Sequence, residues 1–584
     1  MITHHHPLHC GACAPHPELA QLVDHRPAAP GPRRPVPRAP FDPMAKVPAD
    51  LLIVGSLVTM DPFNPTAGAL AVRDGRIVGV GSAADLDGLR GPGTEVLDLG
   101  DQVVYPGFVD PHMHVWPSAM LDGWVDCSPF THDTFDSVLD ALRAANAAPD
   151  EHGWVLGQSY DPSLVAGHPQ LTREVLDRVA PDRPVLVMNA SLHYAYVNSR
   201  TLELAGITDE TPDPPGGFFG RVDGRLDGSA GEMGAIGMLL GIVPRKTQEE
   251  MADGIVHSVA AAARRGVTRV HDALTGTMLG GGELDLLHAL AAEGRFPARI
   301  GVALADQARS TWEATGVQPG AGDDLVRAQS WKIVSDGSNQ GYSGYQSAPY
   351  LGTDRCGHPN YADDDLAERI AHAHAAGWQL MVHANGDAAV EQVVSAFERV
   401  LGDADPVIHD RRHRIEHCSL PNDDELVRMA AIGISPSFLM NHVYFWGRAF
   451  RDEILGAEKA ARLDPVASAR RVGLRPTLHS DYTVTPIDPL RSVQTAVTRR
   501  MRDGGEVLNP AECDTVERAI RAVTVDAAWQ THSDDVLGSL EVGKYADLVV
   551  LSADPQAVDP EAIAAIEVVQ TRLGGKVAHG GSST

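Results

Sequence analysis

The fold class this sequence predicts is a (β/α)8 barrel carrying a small β-domain assembled from both chain ends. Three observations point there. Short apolar runs alternate with amphipathic helical patterns through the middle of the chain, β-rich segments with Gly turns stand at both ends, and 584 residues exceed one ordinary domain. The charge balance, 48 Lys and Arg against 77 Asp and Glu, leaves −29 with no basic cluster set against it. Phosphate backbones need a basic footprint, so nucleic acid is excluded as a partner. No uninterrupted apolar run approaches the roughly 20 residues that cross a bilayer, so no membrane partner is expected either. The six cysteines (Cys10, Cys13, Cys127, Cys356, Cys418, Cys513) are too scattered for a disulfide framework, and a cytoplasmic location is expected.

Residues 1–47 combine His4-His5-His6, Cys10 and Cys13 with prolines from Pro27 to Pro43. Too little apolar surface is available there to offset ordering entropy, and the stretch reads as a disordered tail without the apolar core of a secretory signal. Its His and Cys residues read as adventitious metal binders, and Met44 as a candidate natural start. From Asp50 come Leu51–Val54, Ala69–Val72 and Arg76–Val80, with Asp74-Gly75 supplying a tight hairpin turn. At the other end Ala546–Leu551 and Ile566–Gln570 read as strands, and Gly574-Gly575 turns into Lys576–Ala578. Residues 48–105 and 538–584 are therefore expected to form one composite β-sandwich.

Residues 106–537 are expected to form the barrel. Strand-like runs occur at Val103–His114, Val185–His193, Val267–Ala273, Ile300–Ala305, Trp331–Ser335, Leu380–His383, Arg414–His417, Gly433–Ser437 and Pro476–His479. Nine candidates compete for eight places, so one is an insertion or a false strand. A helix from about Asp364 to Ala376 stops at Gly377; another starts at Asp387 as N-cap, repeats Val390, Val393, Val394, Phe397 and Val400 at helical spacing, and stops at Gly402. The Gly- and Pro-rich stretch from Pro212 to Gly241 reads as an inserted arm.

Chemistry-bearing residues gather at the ends of these runs. His112 and His114, two apart on an extended segment, point to one side and can reach one ion. Lys332, His383, His417 and Asp481 each follow a later strand at its C-terminal end, where barrel enzymes place their working groups. Singly each has a plain reading: a core or loop histidine, a Lys paired with Asp336, an Asp serving as N-cap or simple ligand. Together they describe a metal site.

Pro106–His114, His383-Ala-Asn-Gly-Asp387, Arg414-Ile-Glu-His417, Ser480-Asp481 and Gly538–Leu548 carry a resemblance to the amidohydrolase superfamily, in its branch of N-substituted formamide deformylase-like metal hydrolases. The resemblance runs from about Asp50 to Gly580. It implies that His112 and His114 bind a first metal, that His383 and His417 complete the site, and that Asp481 is the catalytic carboxylate. It further implies one or two Zn²⁺ ions and a carboxylated Lys332 bridging two of them. Metal-activated water would then attack a non-peptide amide, N-acyl or N-formyl C–N bond, with Asp481 moving the proton.

His193 aligns with a family histidine that contacts substrate, and His271 has a similar strand-end position; both are candidate substrate-binding residues. Gly337–Tyr345 lacks the Lys-Ser/Thr ending of a phosphate loop. Tyr342, Tyr345, Phe438, Tyr444 and Trp446 read either as an aromatic pocket wall or as core. Lyase or isomerase chemistry on the same barrel is the alternative to hydrolysis, whereas a non-catalytic scaffold predicts missing ligands. A small-molecule substrate is the expected partner, with homo-oligomer formation open.

Overall fold

The structure, a computed structural model, describes residues 34–36, 38, 41–44, 47–148, 153–402, 411–502 and 505–581. Eight parallel strands form the central sheet: β1 (Phe108–Met113), β2 (Val267–Thr275), β3 (Arg299–Ala305), β4 (Val326–Val334), β5 (Gln379–Ala384), β6 (Arg414–His417), β7 (Ser435–Phe438) and β8 (Thr477–Leu478), each bonded to the next in chain order. The sheet closes just past β8. Asp481 N–H donates to His112 O at 3.0 Å and His114 N–H to Tyr482 O at 2.7 Å, so the seam is made by residues of the predicted metal site. Side chains alternate across each strand. Val270, Ile300, Val302, Ile333, Leu380, Val382 and Ile415 join the main core under the helices, while Ala273, Ala303 and Met381 form a small separate cluster.

The run predicted at Val103–His114 divides at Gly107 into the end of a long strand, Glu95–Pro106, and β1. A Cβ on Gly107 would fall 2.2 Å from Thr268 Oγ1, so the chain passes from one sheet to the other only where no side chain intervenes. The two chain ends share one seven-stranded sheet: Leu51–Val58, Thr66–Arg73, Arg76–Gly81 and Glu95–Pro106 pair with Leu548–Leu551, Val568–Leu573 and Lys576–Gly580. It rolls back on itself: Ile77 N–H donates to Lys544 O and Ala546 N–H to Gly75 O, enclosing Leu51, Ile53, Leu70, Val72, Ile77, Leu548 and Val550 in a common core. Each such buried side chain contributes roughly 1.5–3 kcal/mol.

Three expectations need correction. Val185–His193 is the surplus candidate: Val185–Asn189 lies in a separate six-stranded sheet with Val125–Asp126, Val155–Tyr160, Tyr194–Val197, Phe218–Val222 and Arg225–Gly231. All five of its residues are buried, with cores on both faces of the sheet, which reproduces the continuous apolar pattern of a barrel strand. The arm expected at 212–241 is accordingly only part of an insertion that begins before Val125. The last part of the expected tail is docked: Val36 N–H donates to Gly322 O at 2.7 Å and Arg38 Nε to Asp324 at 2.8 Å. Most of that tail, with His4–His6, Cys10 and Cys13, lies outside the described residues.

The two helices drawn from periodicity are present at Asp363–Ala375 and Asp387–Leu401. In the second, Ala389, Val390, Val393, Val394 and Phe397 face the core and Gly402 ends it at φ 60°. The N-cap is Gly386, one residue earlier than expected. Asp387 instead accepts the Ser347 N–H at 2.9 Å and pairs with Lys459 at 3.1 Å.

Candidate metal centre

β1 delivers His112 inside the barrel, and His114 stands immediately beyond as N-cap of the helix Val115–Leu121. That helix start is held by Asp272 of β2, which accepts the Val115 N–H at 2.7 Å. Opposite, the chain leaving β8 brings Asp481 within 3.2 Å of His112 Nε2 and 3.1 Å of His114 Nε2, both to Oδ1. These three donor atoms all lie within 4.8 Å of one another. Despite two nearby ring nitrogens, Asp481 Oδ1 makes no well-aligned hydrogen bond among the described residues, nor does His417 Nδ1. Lone pairs converging without hydrogen-bond geometry suit a cation, and an imidazole–imidazole–carboxylate set suits a divalent transition metal. The donor set thus fits a divalent metal ion.

The remaining predicted ligands gather around this nucleus at different distances. His417 Nδ1 is 3.9 Å from Asp481 Oδ2, and its ring centroid is 5.0 Å from that of His112. Lys332 Nζ, from β4, is 3.5 Å from His112 Nε2. His383, on β5, packs edge-on to His417 at 4.6 Å, but its Nε2 is turned to Gly337 O at 3.0 Å and Asp336 at 3.3 Å. His383 therefore borders the three-atom cluster without belonging to it. His417 (φ 62°) and Asp481 (φ 51°) both hold left-handed backbone, a strain that persists where surrounding structure imposes it.

Electrostatics keep the donors in their binding forms. Burial pushes the His417 imidazole far below its ordinary value, leaving it neutral. For Asp481 burial acts upward, but His417 and His112 outweigh it and hold the carboxyl ionised, well below the usual carboxylate range. Behind the cluster Glu416 bonds His112 Nδ1 and pairs with Arg414 at 2.9 Å. Burial would raise the Glu416 carboxyl, yet Arg414 and His112 bring it down to about 2. A carboxylate on Nδ1 presents Nε2 as the free lone pair, the usual device for orienting a ligand histidine.

A cavity of about 170 Å³ opens onto these groups. His114, Lys332, His383, His417 and Asp481 line its polar side. Met120, Met188, Leu192, Met233, Leu240, Leu274, Met278 and Val484 supply an apolar wall. His193 also lines it, carried in by the inserted sheet and paired through Nδ1 with Glu232 at 3.0 Å. His271 does not: it is fully buried in the barrel interior, beside Gly301, and the expectation that it binds substrate is corrected on that ground. None of the five aromatic candidates lines this cavity; Phe438 and Trp446 are fully buried in the core and Tyr342 borders a neighbouring cleft. His442, overlooked in the sequence, does face the cavity from an irregular π-helical stretch, His442–Trp446, that no periodicity marks. Glu416 stands in the Arg414–His417 motif and Asp336 read as a partner of Lys332, but only contact distances reveal their work. Asp336 accepts N–H bonds from Tyr345, Asn385 and Gly386, tying the loop after β4 to the one after β5.

Comparison with known proteins agrees with this geometry. The amidohydrolase family model matches residues 95–579. The chain belongs to the amidohydrolase family. It is 28% identical over 543 residues to a putative amidohydrolase, YtcJ, of Bacillus subtilis, covering 90% of this chain and 98% of that one. It is 29% identical over 544 residues to an N-substituted formamide deformylase of Arthrobacter pascens, covering 90% and 97%. In fold it is similar to an uncharacterized metal-dependent hydrolase from Pyrococcus horikoshii, with TM-score 0.69 and 21% identity over 88% of this chain and 99% of that one. This amidohydrolase is thus a hydrolytic enzyme.

Proposed function

We propose that this amidohydrolase uses a divalent metal, zinc, to hydrolyse the C–N bond of a small non-peptide amide whose acyl or amine part is apolar. The convergence of His112 Nε2, His114 Nε2 and Asp481 Oδ1 on one point carries the reading. His383 and His417, beside the cluster, would complete the ligand set, and Lys332, 3.5 Å from His112 Nε2, would as a carbamate help to hold a second ion. When bound, the metal supplies Lewis-acid polarisation and lowers the pKa of water toward ~7. Asp481, ionised and facing the cavity, takes the proton of the attacking water and returns it to the departing nitrogen. His193 donates a hydrogen bond to the carbonyl oxygen as charge develops there, its ring oriented by Glu232. The methionine-rich wall favours an apolar substituent. The deformylase relative supports N-substituted formamides as the first class to try.

The test is turnover of a panel of N-alkyl and N-aryl formamides and N-acyl amines by protein of measured metal content, run in oxygen-18 water. Label in the released acid, with rates rising along the apolar series, is the expected result. Turnover without label would assign an elimination or isomerisation instead.

A further inference from the structure

On the interior side of β2, running from Arg269 at the start of the barrel up to His271 at the level of the β1 segment that carries His112, lies a second group of polar side chains that the reaction does not use. β2 and β3 pair with Arg269 opposite Arg299 and His271 opposite Gly301. Arg269 and His271, two residues apart, share one side of β2 with Ala273 of the interior cluster. Arg269 is only 3% exposed and His271 fully buried. Among the described residues neither Nε nor Nη2 of Arg269, and neither ring nitrogen of His271, has a hydrogen-bond partner. Gly301 makes room for both. A Cβ there would lie 2.6 Å from His271 Nδ1 and 2.9 Å from Arg269 Nη2, so the two donors approach one spot.

Charge around this spot is reversed from the rest of the molecule. In a chain of net charge −29, Arg299 and Arg327 both act on Arg269, and the two carboxylates that oppose them are Asp324 and Asp547. Both are committed: Asp547 to Arg299 at 2.7 Å, and Asp324 to Arg38 and Arg327. Arg414, the other cation near His271, is taken up by Glu416, Gln530 and Pro111 O. Burial and the neighbouring Arg327 and Arg299 bring the Arg269 guanidinium down to about 9, which still leaves it charged at neutral pH. A buried guanidinium with no counter-charge is costly, and water can hydrogen-bond it without neutralising it.

We propose that Arg269 and His271 form an interior binding site for a small monovalent inorganic anion, of which chloride is the type. Arg269 supplies the charge and neutral His271 one ring N–H. The anion would stabilise the barrel interior by mass action, without entering the reaction.

Two measurements on the metal-loaded, full-length protein decide it. Crystals grown in sodium bromide, with data collected at the bromine absorption edge, should show an anomalous peak between Arg269 and His271. The thermal midpoint should rise saturably, by about 3 °C, with sodium chloride relative to sodium gluconate at equal ionic strength, gluconate being too large to enter. In Arg269→Gln both the peak and the difference should vanish; if that variant does not fold, His271→Gln should weaken the chloride dependence at least tenfold. A site without a bromide peak, or chloride and gluconate curves that coincide in the unmodified protein, overturns the proposal. So does a peak that survives Arg269→Gln, which marks an adventitious ion only.

Discussion

Asp481 is the residue on which the most roles meet. Its backbone N–H closes the barrel on His112 O, its Oδ1 faces two imidazoles, and its left-handed backbone aims the carboxylate into the cavity. Asp481→Asn keeps the size and one carbonyl oxygen but cannot take a proton, so kcat should fall ~10²–10⁴-fold. Metal analysis on the same sample should find the ion still held by the histidines; loss of the metal with the activity would make holding the ion, and not moving the proton, the role of Asp481 on which turnover depends. At this scale the sequence was informative where a residue stands at a strand end within a distinctive motif, as for His112, His114, His417 and Asp481. It was silent on partners, because Glu416 behind His112 and Glu232 behind His193 meet their histidines only through long-range folding. His271 misled for a related reason. Strand-end position is shared by side chains that reach the mouth and by those that fill the interior, and three residues along β2 decide between them.

Among the elements, the end of β2 and the loop that leads on to the helix Gly282–Ala292 form part of the apolar wall through Leu274 and Met278. Glu283, fully buried at the start of that helix, accepts N–H bonds from Gly276 and Met278, each at 2.6 Å, and from Leu279 at 2.7 Å. Burial raises its carboxyl to about 8 against these donors. A folded-state value above the unfolded one gives a stabilising contribution that is complete below about 4.5 and lost as pH rises through about 8. The thermal midpoint should therefore fall across pH 5–8 more steeply in the unmodified protein than in Glu283→Gln; parallel curves would show that Glu283 does not titrate there. Elements were legible where periodicity is strong, as in Asp387–Leu401. Val185–Asn189 imitated a barrel strand because both environments bury both faces, and only its pairing with Val155–Tyr160 and Tyr194–Val197 separates them.

For the whole molecule, the metal centre joins β1 to the segment after β8, the first and last staves of the barrel. Stripping the ion should loosen that seam. A chelator is expected to lower the thermal midpoint by several degrees, with zinc restoring it; an unchanged midpoint would mean that the hydrogen bonds of the seam suffice without the ion. The sheet shared by the two chain ends was readable because β-rich segments with Gly turns recur at both of them. The inserted sheet was not, since an insertion of strands and helices repeats the texture of its host.

The rolled sheet shared by the two termini also has a consequence in time. Glu95–Pro106 hydrogen-bonds to Leu548–Leu551, residues separated by more than four hundred positions. At ribosomal speeds of roughly 5–20 residues per second, the early strands wait about 20–90 s for their partner. Throughout that interval this edge lacks its native partner, and a polypeptide that stops before Leu548 never acquires it, which leaves a template for pairing with other chains.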